Sequence, residues 1–145
     1  AGVIGGMLAG FISDKIFGSR RGPVAALLYI VALVAVIIMT FTMNNYYVLG
    51  AMAVLGSVAI IGVHGMLAGT ATMDFGGKRA AGTATGIVDG FVYLGTGLQS
   101  VCLGYITNRI WEYWPPFLIV FAIIGFAFAI KIWRAYPTAS KKAAH

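Results

Sequence analysis

The stretch AAGTATGIVDGFVYLGTGLQSVCLGYIT, residues 80–107, decides the fold, because it is long and apolar and contains one charged residue, Asp89. About 20 apolar residues are enough to cross a bilayer as a helix, so this stretch predicts a membrane span. A carboxylate inside such a span is rare and costly, and by default it marks a functional site. The alternative interpretation is that Asp89 makes only a structural contact between helices.

A polar stripe runs along this predicted helix. With 100° per residue, six polar side chains fall within an arc of roughly 80°. The six are Thr85, Asp89, Tyr93, Thr96, Ser100 and Thr107. Gly86 and Gly90 lie beside the arc, and glycine lets membrane helices approach each other closely. We therefore expect a helix with a water-filled cavity on one side and a closely packed neighbour next to it.

The composition of the whole chain indicates a membrane protein. Of its 145 residues, 60% are hydrophobic and only 10% are charged, and the mean hydropathy is +0.91, whereas soluble domains have about 25% charged residues. The net charge of +6 could suggest nucleic-acid binding, but the basic residues lie in short clusters between apolar runs. That distribution is typical of membrane topology. We expect no nucleic-acid partner, no metal site, no cofactor and no enzyme activity.

The chain is predicted to be an all-α, polytopic membrane protein with four full transmembrane helices and a partial one at the start. The helices are predicted at about residues 1–13, 23–43, 46–73, 80–107 and 116–134, with a tail at 136–145. The first is too short for a hydrocarbon layer about 30 Å thick. Because the chain also lacks an initiating Met, we expect a longer protein that begins upstream. Gly2, Gly6 and Gly10 are spaced four residues apart, as on a helix-packing face.

Lys and Arg are distributed unequally between the predicted turns. Nine of the ten fall on one side of the predicted membrane, and Arg109 is the exception. The positive-inside rule makes that side cytoplasmic, together with the C-terminal tail. Trp111, Tyr113 and Trp114 lie in a turn on the opposite side, where aromatic residues commonly sit at the membrane interface.

Two motifs resemble those of a known transporter family. The segment GFISDKIFGSRRG, residues 10–22, resembles the signature between the second and third helices of each half of major facilitator transporters. The matching residues are Gly10, Asp14, Lys15, Gly18, Arg20 and Arg21. The segment KRAAGTATGIVDGFVYLG, residues 78–95, is similar to the eleventh helix of the organophosphate:phosphate antiporter branch, which includes glycerol-3-phosphate and hexose-phosphate transporters.

The resemblance implies the C-terminal part of a twelve-helix secondary transporter, in a cell membrane such as the bacterial inner membrane. Its partners would be the lipid bilayer, a small anionic solute and the missing N-terminal half. In the family, the signature Asp faces the N-terminus of a helix from the other half and closes the cytoplasmic side. That role would fall to Asp14, with gating and topology roles for Lys15, Arg20 and Arg21. The family's pair of phosphate-binding Arg residues lies on the first and seventh helices, outside this sequence.

The resemblance also implies that Tyr93 contacts substrate, because the family places its helix-eleven aromatic residue at the central cavity. The alternative is a Tyr packed in the core. Asp89 departs from the family pattern, which has a small residue there. A carboxylate would repel a dianionic substrate unless an Arg paired with it or a proton neutralised it. Two interpretations follow: exchange of a phosphate ester for phosphate, or a proton-coupled symporter in which Asp89 is the titrating group.

His64 lies in the middle of the second full span, where it could relay protons or simply pack against a neighbouring helix. The predicted cavity residues are therefore Tyr93, Asp89, Thr85, Thr96 and His64. Gly2, Gly6, Gly86 and Gly90 are the predicted packing glycines. Two other classes of protein remain open at this point: a membrane sensor built on the transporter fold, and a small structural membrane subunit.

Overall fold

The structure is a computed structural model that describes residues 2–134, without the side chains of residues 75–79, so the predicted tail at 136–145 lies outside the described residues. Its five α-helices are α1 (Gly2–Lys15), α2 (Arg21–Phe41), α3 (Tyr46–His64), α4 (Thr72–Arg109) and α5 (Trp114–Lys131). A π-helical segment, Gly65–Ala71, joins α3 to α4, and a 3-10 turn, Trp111–Tyr113, precedes α5. The described residues form no strand, which confirms the prediction of an all-α fold.

Four stretches are long and apolar enough to cross a membrane. They are Arg21–Phe41, Tyr46–Asp74, Ala80–Arg109 and Trp111–Lys131. They correspond to the four full spans expected from the sequence, and the chain is a multi-pass membrane protein. α1 has 14 residues, so it extends about 21 Å and is shorter than the hydrocarbon layer.

The starts of α3 and α5 have identifiable causes. The Asn45 side-chain oxygen accepts hydrogen bonds from the backbone N–H groups of Tyr47 and Val48, at 3.2 and 3.3 Å. This is a helix N-cap, and it begins α3 at the predicted break. α5 has Pro in its first turn, where the missing N–H would have no partner in the helix anyway.

The chain reverses direction inside α4. The hydroxyl oxygens of Thr72 and Thr85 lie 2.8 Å apart, whereas thirteen residues of straight helix would separate them by about 20 Å. The sequence predicted a helix end at 73, a turn at 74–79 and a new helix from 80; in the structure the backbone is helical throughout Thr72–Arg109. Gly76 and Gly77 lie within the reversing segment, and paired glycines are a common cause of sharp bends in a helix.

α2 lies at the centre of the bundle, because it packs against both α3 and α5, while α1 packs mainly against α3. Buried residues at these contacts are mostly small, such as Ala25, Ala26 and Ala129. Small side chains let membrane helices approach closely enough for dispersion contacts to hold them together. α4 is different, since none of the most apolar part of its span is buried.

The bundle has two ends of different character. The basic end is formed by the α1–α2 turn, the reversal in α4 and the C-terminus of α5; Gly22 of α2 lies directly against the backbone of Ile132 and Trp133. The aromatic end is formed by the α2–α3 and α4–α5 connections, with Tyr46, Tyr47 and the Trp111–Tyr113 turn exposed. Successive spans therefore run in opposite directions between these two ends.

Candidate functional site

His64 and Asp89, which the sequence singled out separately, come together between α3 and α4. His64 Nε2 lies 3.8 Å from Asp89 Oδ1, and the two side chains are 36% and 33% exposed. That distance is too long for a hydrogen bond, but it is within range of a strong electrostatic interaction once the imidazole is protonated. The same Asp89 oxygen and His64 Nδ1 are buried atoms with no hydrogen-bond partner among the described residues.

The pair lies deep in the membrane-spanning part of the bundle. His64 comes ten residues before Asp74, the last residue of its span, and Asp89 comes nine residues after Ala80, the first residue of the next. At 1.5 Å per residue both side chains are about 15 Å from the basic end, near the middle of a hydrocarbon layer about 30 Å thick. Such a depth makes an unpaired carboxylate costly.

A cluster of threonine hydroxyls holds the two spans together one turn nearer to the basic end. Thr85 donates to the carbonyl of Ala68 at 3.1 Å and shares a hydrogen bond with Thr72. Thr72 also bonds the carbonyls of Ala68 and Gly69, at 2.7 and 2.8 Å. Ala68 and Gly69 belong to the π-helical segment, and such segments are frequently found at functional sites. Thr85 therefore contacts the neighbouring helix.

Tyr93, Thr96 and Ser100 of the polar stripe on α4 are exposed, and Thr107 is half-buried. Tyr93 is 68% exposed, and its hydroxyl makes no hydrogen bond within the part of the chain that the structure describes. Thr96 donates only to Val92 of its own helix, at 2.8 Å. Tyr93 and Thr96 thus do not join the His64–Asp89 contact; they face open space on the same helix, one and two turns further toward the aromatic end.

A cavity of about 360 Å³ lies in the half of the bundle nearer the aromatic end. It is mostly apolar, and its polar groups come from Ser57, Gln99 and Trp114. The Trp114 indole N–H is buried without a hydrogen-bond partner. None of the predicted site residues lines this cavity, so the cavity and the His64–Asp89 contact lie in different parts of the bundle. The polar contact of His64 with Asp89 is a better guide to function than this cavity, because an apolar cavity discriminates poorly between solutes.

The signature turn forms an ion-pair network at the basic end. Arg21 is buried, and its guanidinium donates to Asp14 Oδ1 and to Asp74 Oδ2, both at 2.9 Å. Ser19 donates to the same Asp14 oxygen at 3.0 Å. Gly18 and Ser19 both have positive φ, 56° and 62°, which turns the chain sharply between α1 and α2. Within the described residues, Asp14 thus pairs with Arg21 and Ser19 rather than with a helix N-terminus.

The other residues of the predicted motif, Gly10, Lys15 and Arg20, lie on α1 or in the turn that follows it. The Lys15 ammonium lies 5.9 Å from the centre of the Phe11 ring, a cation–π distance. Arg20 is half-buried, and its carbonyl accepts a hydrogen bond from Ser13 at 3.1 Å. A side chain at Gly10 would meet no atom within 4 Å.

The close contact between α1 and α3 uses a glycine that the sequence pattern did not identify. A Cβ atom on Gly5 would collide with the carbonyl oxygen of Val58, and one on Gly62 would lie 3.1 Å from the carbonyl oxygen of Gly5. Gly2 faces the Ile61 side chain. Gly6, Gly86 and Gly90 have open space within 4 Å in the described structure, so their predicted role in packing stays a prediction.

Sequence reasoning missed two further functional candidates. Asp74 looked like part of a plain turn, and its pairing with Arg21 spans 53 positions, which no local pattern reveals. The Gln99–Trp114 edge of the cavity was likewise invisible, because Gln99 lies outside the polar stripe. Among the described residues, no three His, Cys, Asp or Glu side chains come close enough to hold a metal ion.

Curated proteins similar to this chain are membrane transporters and a membrane sensor. A probable hexose phosphate transport protein of Chlamydia pneumoniae is 32% identical over 139 residues, which is 92% of this chain and 30% of that protein. The glycerol-3-phosphate transporter of Bacillus subtilis is 29% identical across 100% of this chain and 32% of its own length. The membrane sensor protein UhpC of Salmonella typhimurium is 34% identical over 84% of this chain and 27% of its own length.

The chain thus spans about a third of the length of these relatives. None of the three is an enzyme by its description. No family model and no solved structure matches the chain.

Proposed function

This chain belongs to the organophosphate:phosphate antiporter branch of the major facilitator superfamily, and we propose from this that it is the C-terminal part of a secondary transporter. The transporter carries a small organic anion, a phosphate ester that it exchanges for inorganic phosphate. The two halves of such a protein rock about a site near the middle of the membrane, which opens to each side in turn.

The exposed polar face of α4 is the observation that supports this function. Tyr93 and Thr96 lie on a membrane-spanning helix, yet they are exposed, and polar groups in a membrane normally face a cavity or another helix. The remaining half of the transporter supplies the opposite wall in this proposal. Tyr93 then donates its hydroxyl hydrogen to an oxygen of the phosphate or of the sugar.

The basic end is the cytoplasmic end in this proposal, and the protein lies in a bacterial inner membrane. The Arg21 guanidinium ties the α1–α2 turn to the reversal in α4 through two carboxylates. Asp14 remains 55% exposed, so it is available to a helix of the other half during closure. Lys15 and Arg20 contribute positive charge that holds this end in the cytoplasm.

Transport by the full-length protein in proteoliposomes tests the function. We expect radiolabelled inorganic phosphate to enter phosphate-loaded vesicles, and external glycerol 3-phosphate or glucose 6-phosphate to compete with it. Tyr93→Phe should raise the KM for the ester roughly 10- to 100-fold, since a hydrogen bond to a charged group contributes about 1.5–3 kcal/mol. Tyr105→Phe is the matched control, because Tyr105 is also exposed on α4 but lies outside the polar stripe. Vesicles that exchange neither phosphate nor either ester would contradict the proposal.

A sensor is the second candidate, and the similarity to the UhpC protein of Salmonella typhimurium favours it. A sensor would bind the phosphate ester without moving it across the membrane. Saturable binding by the purified protein, with no flux in vesicles made from the same preparation, would distinguish the sensor from the transporter.

A further inference from the structure

We propose that His64 and Asp89 together form a proton-binding site at the contact between α3 and α4, and that the pair takes up one proton when the anionic solute binds. This inference rests on the proposed function, since it concerns the solute path along the same face of α4.

The geometry of the pair is that of an incomplete ion pair. Nε2 of His64 and Oδ1 of Asp89 are 3.8 Å apart, and Oδ1 has no hydrogen-bond partner among the described residues. Buried polar atoms without partners are uncommon and need an explanation. A proton on His64 Nε2 would give Asp89 Oδ1 a hydrogen-bond donor, because a charge-assisted hydrogen bond would draw the two atoms to about 2.7–2.9 Å.

No other charged side chain that the structure describes lies beside the pair. The nearest titratable neighbour is the Tyr93 phenol, about one turn from Asp89 on α4. The remaining titratable groups described on the surrounding helices lie on α2, toward the aromatic end of α3 and α4, or at the basic end. They are Tyr29 on α2; Tyr46 and Tyr47 on α3; Cys102, Tyr105 and Arg109 on α4; and Asp14, Lys15, Arg21 and Asp74 at the basic end. The four groups at the basic end are about 15 Å away by helix rise. A proton on the pair is therefore stabilised by His64 and Asp89 themselves.

The charge of the pair changes when the proton binds. With a neutral imidazole, the pair carries the single negative charge of Asp89. When Nε2 accepts a proton from water, the imidazolium and the carboxylate sum to zero. Imidazole is the side chain whose ordinary pKa lies closest to physiological pH, so this change requires no extreme conditions. An anionic phosphate held by Tyr93 would be repelled by the unprotonated pair and accepted beside the protonated one.

The weak packing of α4 gives the proton a mechanical consequence. None of the most apolar part of its span is buried, and its main contacts are with the π-helical segment that begins directly after His64. Closing the gap between Nε2 and Oδ1 would pull α4 toward α3 at mid-membrane depth. Loss of the proton on the other side of the membrane would release this contact and complete the cycle.

Calorimetric titration of the full-length protein in detergent tests the inference. Glycerol 3-phosphate and glucose 6-phosphate are titrated at pH 7 in two buffers with different ionisation enthalpies, and the difference in heat gives the protons taken up on binding. We expect clear net proton uptake in the unchanged protein and a value reduced toward zero in His64→Gln and in Asp89→Asn. Protonation of the ligand itself is the same in every titration, so it cancels in the comparison. Tyr105→Phe should bind with unchanged proton uptake.

The possible outcomes separate this inference from the proposed function. Binding with equal proton uptake in all variants would overturn the proton site and leave the transport function standing. Binding of neither ester by the unchanged protein would overturn both. Should either single variant fail to fold, the exchanged double variant His64→Asp with Asp89→His keeps both groups at the contact, and we expect it to restore proton uptake. Proton uptake that stays lost in a folded exchanged variant would count against the pair.

Discussion

Arg21 connects three segments of the chain at the basic end. Its guanidinium is planar and has several N–H donors in a fixed arrangement, so one side chain can bond two carboxylates from different directions. Asp14 at the end of α1 and Asp74 near the start of α4 use two of these donors, at 2.9 Å each. Because Arg21 itself is buried, removing it would take from the partly buried Asp74 the ion pair that the structure shows.

Replacing Arg21 should therefore destabilise the folded protein. For Arg21→Ala we expect a loss of about 2–3 kcal/mol in the free energy of unfolding. Breaking a fully buried ion pair typically costs ~3–5 kcal/mol. The expected loss is smaller because the Asp14 side chain is 55% exposed. Arg21→Lys should retain only part of this stability, since an ammonium lacks the forked N–H donors with which the guanidinium reaches both carboxylates. SDS titration of the detergent-solubilised full-length protein measures the effect. Arg109→Ala, at the exposed end of α4, is the control and should change stability by less than about 0.5 kcal/mol.

The sequence indicated the individual site residues but not how they would meet. Asp89 and His64 were each conspicuous as ionisable groups in apolar runs, which is a property of the local sequence. Their contact depends on where the chain reverses between them, and on the wider turns of the π-helical segment. Neither is visible in a hydrophobic pattern, because a reversal shifted by one residue would rotate Asp89 by about 100° on its helix.

At the scale of single elements, the α1–α3 contact depends on the absence of side chains at the crossing point. The four-residue spacing of Gly2, Gly6 and Gly10 indicated a packing face, and α1 does pack on α3. The crossing point itself lies at Gly5 and Gly62. Which face of a helix is used depends on the partner's direction and shape as well as on the helix's own sequence, so one helix alone could not reveal it.

Adjacent glycines in α1 should respond differently to the same substitution. Gly5→Ala would drive a methyl group into the Val58 carbonyl oxygen and force α1 away from α3. We expect a loss of about 1–3 kcal/mol, as for an overpacked core. Gly6→Ala meets open space and should be neutral within about 0.5 kcal/mol. Thermal unfolding of the two full-length variants in detergent makes the comparison, and equal midpoints would contradict the observed crossing.

At the scale of the whole molecule, hydropathy and charge were sufficient to predict the four spans and their alternation. These are bulk properties of about 20 residues at a time, so single errors average out. Helix ends were less predictable, because the sequence signals of a turn at 74–79 do not distinguish a bend within helical backbone from a loop between two helices. The cavity of about 360 Å³ was not predictable at all, since it depends on how four helices leave space between them.

The two ends of the bundle should lie on opposite sides of the membrane. In a Cys102→Ser background, Ile16→Cys at the basic end and Asn44→Cys at the aromatic end are both in exposed positions. A membrane-impermeant maleimide applied to intact cells should label Asn44→Cys alone and reach Ile16→Cys only after the cells are opened. Labelling of Ile16→Cys in intact cells would show the orientation opposite to the one that the positive-inside rule predicts.

The order in which the partners of Arg21 leave the ribosome follows from their positions in the chain. Asp14 is synthesised before Arg21, whereas Asp74 comes 53 residues later. At about 5–20 residues per second, translation of that interval lasts roughly 3–10 s. During biogenesis the Arg21 guanidinium therefore has only Asp14 as a partner while two further spans are inserted into the bilayer. Synthesis of Asp74 completes the Asp14–Arg21–Asp74 network. The basic end of the nascent protein therefore gains its full set of ion pairs only when the third full span is being made.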